Sequence, residues 1–131
     1  MPNIVIDTNV VISAALTPHG NPAKIMKAVY EKEELQLYYS LGILDEYEGV
    51  ISRPYLKLPF ADRATIIDRI KKIGILIDPN PSEIPLPDES DRIFYDTAKT
   101  AGAILVTGNI KHFPTEIFIL SPQEFLEKFG I

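Results

Sequence analysis

The chain predicts an α/β fold: a three-layer sandwich with a central, mostly parallel five-stranded sheet flanked by helices. Three observations carry that expectation. Short apolar runs alternate with helical patterns along the whole sequence. The runs are rich in Ile, Val and Tyr, as strands buried on both faces should be. The length, 131 residues, suits one domain, so 1–131 is read as a single unit.

The elements follow in order. Ile4-Val5-Ile6 reads as the first buried strand, and polar Thr8-Asn9 before apolar Val10 suits a sharp strand-to-helix turn. Asn21-Pro22 opens a helix with Pro22 at its first position and Ile25, Met26, Val29 and Tyr30 on one face. Residues 35–39 form the second strand. Ser40 can cap the next helix, whose stripe is Ile43, Leu44, Tyr47, Val50 and Ile51; Arg53-Pro54 ends it, because a residue before proline avoids helical geometry. A helix over about 59–72 has Phe60, Ala64, Ile67 and Ile70 as its stripe and Gly74 as its stop. Residues 75–77 make the third strand. Pro79, Pro81, Pro85 and Pro87 then force an irregular surface connection. A helix begins near 88–91 and ends at Gly102, with Phe94, Ala98 and Ala101 inward. Residues 104–107 and 117–120 complete the strands, and Ser121-Pro122-Gln123-Glu124 is a capping box opening the last helix, which Gly130 ends.

Composition narrows the chemistry. With no cysteine, disulfides, zinc ribbons, iron–sulfur centres and cysteine nucleophiles are excluded, and two histidines make an imidazole-built zinc site a poor expectation. A metal here would be held by carboxylates, which suit Mg²⁺ or Mn²⁺. The net charge of −5 argues against a bulk electrostatic nucleic-acid binder, though not against an enzyme that meets nucleic acid through ions and a local basic patch. The apolar stretch 4–16 is broken by Asp7, Thr8 and Asn9, has no basic leader and is shorter than the ~20 residues of a membrane span, so the expected location is the cytoplasm.

In parallel sheets, ligands sit outside the carboxyl ends of the strands. Asp7 directly follows the first strand; it could be a helix cap, but Thr8 or Asn9 could cap as well, and an ionisable group so close to a buried strand needs a partner. Glu46 lies beside the apolar face of its helix, whereas Asp45 and Glu48 face solvent; pairing with Arg53 is the bland alternative. Asp91 opens a helix whose N-terminus lies at the same edge. Asp88 fits a cap with Asp91 at the third helical position, and metal binding is its lesser reading. Asp96 lies about 140° round the helix from Asp91 and is an outer-site candidate only. Thr107 and Asn109 offer uncharged oxygens there, and His112 reads as a loop histidine. Three clustered carboxylates repel strongly, and a divalent cation removes that penalty. Asp7, Glu46 and Asp91 together therefore suggest a Mg²⁺ or Mn²⁺ site suited to phosphodiester hydrolysis.

These residues, in this order, make the chain resemble the PIN-domain ribonucleases, in the branch assigned as toxin components of toxin–antitoxin systems. The resemblance rests on Ile6-Asp7-Thr8-Asn9-Val10, on Ser40 through Leu44-Asp45-Glu46-Tyr47 to Arg53-Pro54, on Asp88-Glu89-Ser90-Asp91 with Phe94 and Ala98, and on Val106-Thr107-Gly108-Asn109; Ser121-Pro122 and Phe125-Leu126 close it. It implies a Mg²⁺- or Mn²⁺-dependent endoribonuclease with Asp7, Glu46 and Asp91 as catalytic metal ligands. It also implies an RNA substrate, often a homodimer and often a cognate antitoxin, with Thr107 as the hydroxyl that orients the acids. Where many of these domains carry a fourth acid, this chain has Asn109, which weakens a second metal; Asp88 or Asp96 could compensate.

Arg53, Lys57, Lys99 and Lys111 fall on segments near the proposed edge, and Arg63, Arg69, Lys71 and Lys72 decorate one helix as a solvated face with i, i+4 pairs. Two other classes compete. A non-catalytic PIN module that binds RNA or a protein partner is favoured by Asn109 and the acidic balance. A phospho-acceptor receiver wants paired acids after the first strand and a lysine after the last, and this chain has neither.

Overall fold

Residues 3–6 carry no polar side chain after Asn3, and they form the centre of the sheet. The structure, a computed structural model, describes residues 2–31 and 34–131. Strand β1 (Asn3–Ile6) pairs in parallel with β2 (Gln36–Tyr39) on one side and β4 (Ile104–Val106) on the other. Short edge strands β3 (Ile75–Leu76) and β5 (Ile119–Leu120) extend the sheet to the order β3-β2-β1-β4-β5, parallel throughout. Ile4, Val5, Ile6, Leu105 and Val106 are wholly buried, which is why these strands read as unbroken apolar runs.

Among the described residues, six α-helices cover the sheet to give the three-layer sandwich: α1 (Thr8–Leu16), α2 (Asn21–Glu31), α3 (Leu41–Ile51), α4 (Phe60–Ile73), α5 (Arg92–Ala101) and α6 (Pro122–Phe129). Helix α5 packs across β1, β2 and β4. Helix α1 packs on α2 and α3, and α2 on α6. Ser40 caps α3 by accepting from the Ile43 N–H, and Ser121 and Glu124 close the capping box of α6. Gly102 and Gly130 end α5 and α6 in the left-handed conformation, at φ 60° and 66°.

Three expectations are corrected. Phe60 is 77% exposed, because α4 lies at the sheet margin; Ile70 is the residue of its stripe that is fully buried, with Ile67 partly so. The last strand begins at Ile119; Ile117 is 92% exposed in the turn before it. The edge strand β3 is not buried on both faces. Among the described residues, no helix is long and apolar enough to cross a membrane.

The proline-rich connection before α5 has its own anchoring. It runs along α5 and is gripped by side chains one helical turn apart. Thr100 Oγ1 accepts from the Asn80 N–H (2.9 Å), and Asp96 Oδ2 accepts from the Ser82 N–H (3.1 Å). Arg92 donates to Ser82 O, Ser82 Oγ and Ile84 O. Residues 92, 96 and 100 share one face by the i, i+4 relation.

Candidate active site

The sheet order reverses between β1 and β4. Connections leave these two strands toward opposite edges, which opens a crevice at their carboxyl ends. Asp7 follows β1 and Thr107 follows β4, so both line this crevice.

Asp7 is the N-cap of α1 and is 6% exposed. Its Oδ1 accepts from the Thr8 N–H (2.8 Å) and its Oδ2 from the Thr107 hydroxyl (2.7 Å). Thr107 Oγ1 in turn accepts from the Asn109 N–H (3.0 Å), while Gly108 donates its N–H to Asn9 Oδ1 (3.1 Å). Two loops are thus stitched together around one carboxylate. Burial nonetheless pushes the Asp7 carboxyl above the usual aspartate range, with the Thr107 and Thr8 hydrogen bonds opposing it.

Asp91 comes from the other side. A 3₁₀ turn at Glu89–Asp91, capped by Asp88 accepting from the Ser90 N–H (3.0 Å), delivers it to the start of α5. Helix α5 begins three residues later than a capping box from Asp88 to Asp91 would require, because the 3₁₀ turn takes those positions. Asp91 occupies the N-cap position yet its side chain makes no cap bond. Its Oδ2 is buried with no hydrogen-bond partner, and His112 Nδ1 stands 3.5 Å from it. Burial raises the Asp91 carboxyl, and the charges of Asp7, Asp88 and Glu46 raise it further, against His112.

Glu46 stands half-buried on α3, between exposed Asp45 and buried Tyr47. Tyr47 is fully buried and donates its hydroxyl to Ile6 O, the carbonyl just before Asp7. Asp7, Glu46, Asp88, Asp91, Thr107 and Asn109 therefore gather at one edge. Asp96 does not. It is buried and its Oδ2 is engaged by the Ser82 N–H, on the face of α5 that anchors the proline-rich connection. Lys99 is also removed from the edge, since it occupies the last turn of α5 over the Tyr95 ring. The basic residues of α4 are not laced into i, i+4 ion pairs among the described residues: Arg63 lies over Phe60 and Arg69 over Tyr30.

A buried carboxylate oxygen without a partner is a hard donor fitted to a divalent cation. The fit is incomplete in one respect. Among the described residues, no three His, Asp or Glu side chains stand close enough to chelate one ion as they are. Sequence reasoning overlooked Arg92 and the contact of His112 with Asp91. The signal for Arg92 was its spacing with Asp96 and Thr100 beside a run of prolines.

Fold and site together define a PIN domain, and the PIN domain family model matches residues 3–111; the chain belongs to that family. It is 30% identical to the uncharacterized protein MJ1680 of Methanocaldococcus jannaschii, with 96% of this chain and 90% of that protein covered. Two solved structures share the fold. PAE2754 from Pyrobaculum aerophilum has a TM-score of 0.63 at 13% identity, covering 98% of this chain and 90% of the other. VapBC2 from Rickettsia felis, solved bound to a DNA fragment from their promoter, has a TM-score of 0.60 at 16% identity, covering 91% and 96%.

Proposed function

We propose that this protein is a Mg²⁺- or Mn²⁺-dependent endoribonuclease of the cytoplasm, acting as the toxin of a toxin–antitoxin pair, with Asp7, Glu46 and Asp91 as its metal ligands. The observation that carries this reading is the buried, unpartnered Oδ2 of Asp91 within electrostatic reach of Asp7 and Glu46. Like charges held together in a poorly solvated crevice are costly unless a cation joins them. The PIN family supports the nuclease class, and the fold shared with VapBC2 supports an antitoxin partner.

Within this reading a cation held by the three acids would supply Lewis-acid polarisation of the phosphodiester and a water of lowered pKa. The chain's own groups do the rest. Thr107 fixes Asp7 in one rotamer, and the low dielectric around Asp7 strengthens its attraction for a cation. Asp91 Oδ2, buried and unshared, is the oxygen available to the cation, and the attacking water's proton passes to solvent or to a ligand carboxylate. Direct contact with all three acids is not required, because Mg²⁺ commonly keeps several waters and takes one or two carboxylates.

The test is cleavage of single-stranded RNA in Mg²⁺ or Mn²⁺. Asp7→Asn and Asp91→Asn should abolish it with the fold intact. Cleavage by Asp7→Asn at the wild-type rate would overturn the assignment.

A second reading, a non-catalytic module that binds RNA or a protein, is favoured by Asn109 and by the open spacing of the acids. Persistent RNA binding without cleavage across both metals would select it.

A further inference from the structure

We propose that the segment joining α3 to α4 is a stacking platform for single-stranded RNA, with Tyr55 and Phe60 as its base-stacking rings and Arg53, Lys57 and Arg63 as its phosphate contacts. The inference deepens the ribonuclease reading above and rests on it for RNA as the substrate.

Two rings stand in water here. Among the described residues, Tyr55 at 68% and Phe60 at 77% are the exposed aromatic side chains; every other Phe and Tyr is buried or partly so. One exposed ring is ordinary, but two in one short segment, each with an arginine against it, form a patch. Arg53 Nη1 donates to the Tyr55 hydroxyl (3.2 Å), and Arg63 Cζ lies 5.6 Å from the centre of the Phe60 ring. Paired rings and guanidinium planes are what single-stranded nucleic acid stacks on, and every base has a face to offer them.

Charge selects the occupant. Residues 53–72 hold six of the chain's thirteen lysines and arginines against two acids, Asp62 and Asp68, in a protein of net charge −5. Among the described residues, Arg53, Lys57 and Arg63 take part in no ion pair with an acid. Tyrosine and arginine also serve protein interfaces, but a local excess of unpaired cations in an acidic protein favours a polyanion. The platform also adjoins the crevice. Arg53 follows Glu46 by seven residues, which returns it to the same side of α3 two turns on. The Tyr55 hydroxyl chiefly, and the Glu46 charge to a smaller degree, hold the Arg53 guanidinium above the usual arginine range, so Arg53 lies within electrostatic reach of Glu46.

The segment is braced before any strand arrives. Pro54 and Pro59 fix φ at two points, and Leu56 and Leu58 pack on the core. Lys57 alone among the described non-glycine residues takes left-handed backbone, at φ 55°, and closes the 3₁₀ turn Pro54–Leu56. Arg63 Nη1 reaches back to Ser52 O (3.5 Å), tying α4 to the end of α3. Little ordering is left to oppose binding.

Fluorescence anisotropy of a short labelled single-stranded RNA, with the full chain in EDTA at low salt, reads binding apart from cleavage. Wild type should bind the single strand more tightly than the duplex of the same sequence, whose base faces are covered. Tyr55→Ala should weaken binding about tenfold and Tyr55→Phe less than about twofold, because the ring stacks. Arg53→Met and Lys57→Met should each lower the slope of log affinity against log salt by about 0.7. Thermal melts of these exposed-site variants should match wild type. Equal affinity of wild type and Tyr55→Ala, equal affinity for strand and duplex, or no RNA binding by wild type overturns the platform; cleavage that needs Asp7 then leaves the ribonuclease reading standing. Tyr55-dependent binding by a protein that cleaves RNA in neither Mg²⁺ nor Mn²⁺ keeps the platform and removes the ribonuclease. Sedimentation equilibrium covers a protein occupant: a wild-type dimer that Tyr55→Ala dissociates, with RNA affinity unchanged, assigns the face to a second copy and overturns the proposal.

Discussion

Replacing Thr107 by valine keeps the shape of the side chain and removes only its hydroxyl. That hydroxyl is fully buried and supplies one of the two hydrogen bonds that the Asp7 carboxylate receives among the described residues. A hydrogen bond to a charged, buried group contributes about 1.5–3 kcal/mol, and the Asn109 N–H, which loses its acceptor, adds up to about 1 kcal/mol where water does not replace it. The expected loss at neutral pH is therefore about 2–3 kcal/mol. At about 2.1 cal/mol/K of unfolding entropy per residue, a chain of this length should melt about 7–11 °C lower. Urea unfolding and calorimetry of wild type, Thr107→Val, Asp7→Asn and the double variant measure both the loss and its coupling. Much of the loss should vanish in the Asp7→Asn background, because the charged acceptor is gone. A loss under about 0.5 kcal/mol, or strictly additive effects, would refute the claim that Thr107 acts through Asp7.

Other outcomes follow from the same geometry. Asp7 and Asp91 have folded pKa values above the unfolded 3.8, so the stability each contributes is complete below that pH and is lost as pH rises through its folded value. Asp91→Asn should accordingly melt higher than wild type at pH 7, with the gap closing as pH falls toward 3.8; thermal melts across pH check it, and a lower melting point at pH 7 counts against it. Arg92→Met frees two loop carbonyls, so hydrogen exchange at Asn80 and Ser82 should accelerate at least tenfold while the β1 amides stay protected. Gly74→Ala puts a Cβ 2.7 Å from the Tyr39 ring and 2.8 Å from Ile70 O, and should cost about 1–3 kcal/mol in denaturant unfolding.

What was legible in the residues and what was not have physical causes. The central strands and α2, α3, α5 and α6 announced themselves, because each buries one continuous apolar run or stripe between clear stops. Helix α1 left only its opening turn in the pattern. Thr8, Val10, Val11 and Ile12 are all buried, so it lacks the polar face that makes a stripe visible. Phe60 matched the spacing of its helix, but spacing cannot report that a helix lies at the sheet margin with little to pack against. Strand-end position pointed to Asp7 and helix-start position to Asp91, and both stand at the crevice between β1 and β4. Asp96 shares its helix with Asp91, and only the return path of the proline-rich connection reveals that its carboxylate is engaged there. Long-range contacts of this kind, like that of His112 with Asp91, have no local signature.

The Tyr47 phenol bonded to the Ile6 carbonyl acts as a ruler between chain segments distant in sequence. Glu46 and Asp7 are the covalent neighbours of the two bonded residues, so the gap between these acids is set by a single rigid aromatic strut. Sliding α3 along its axis would first have to break that strut inside the core.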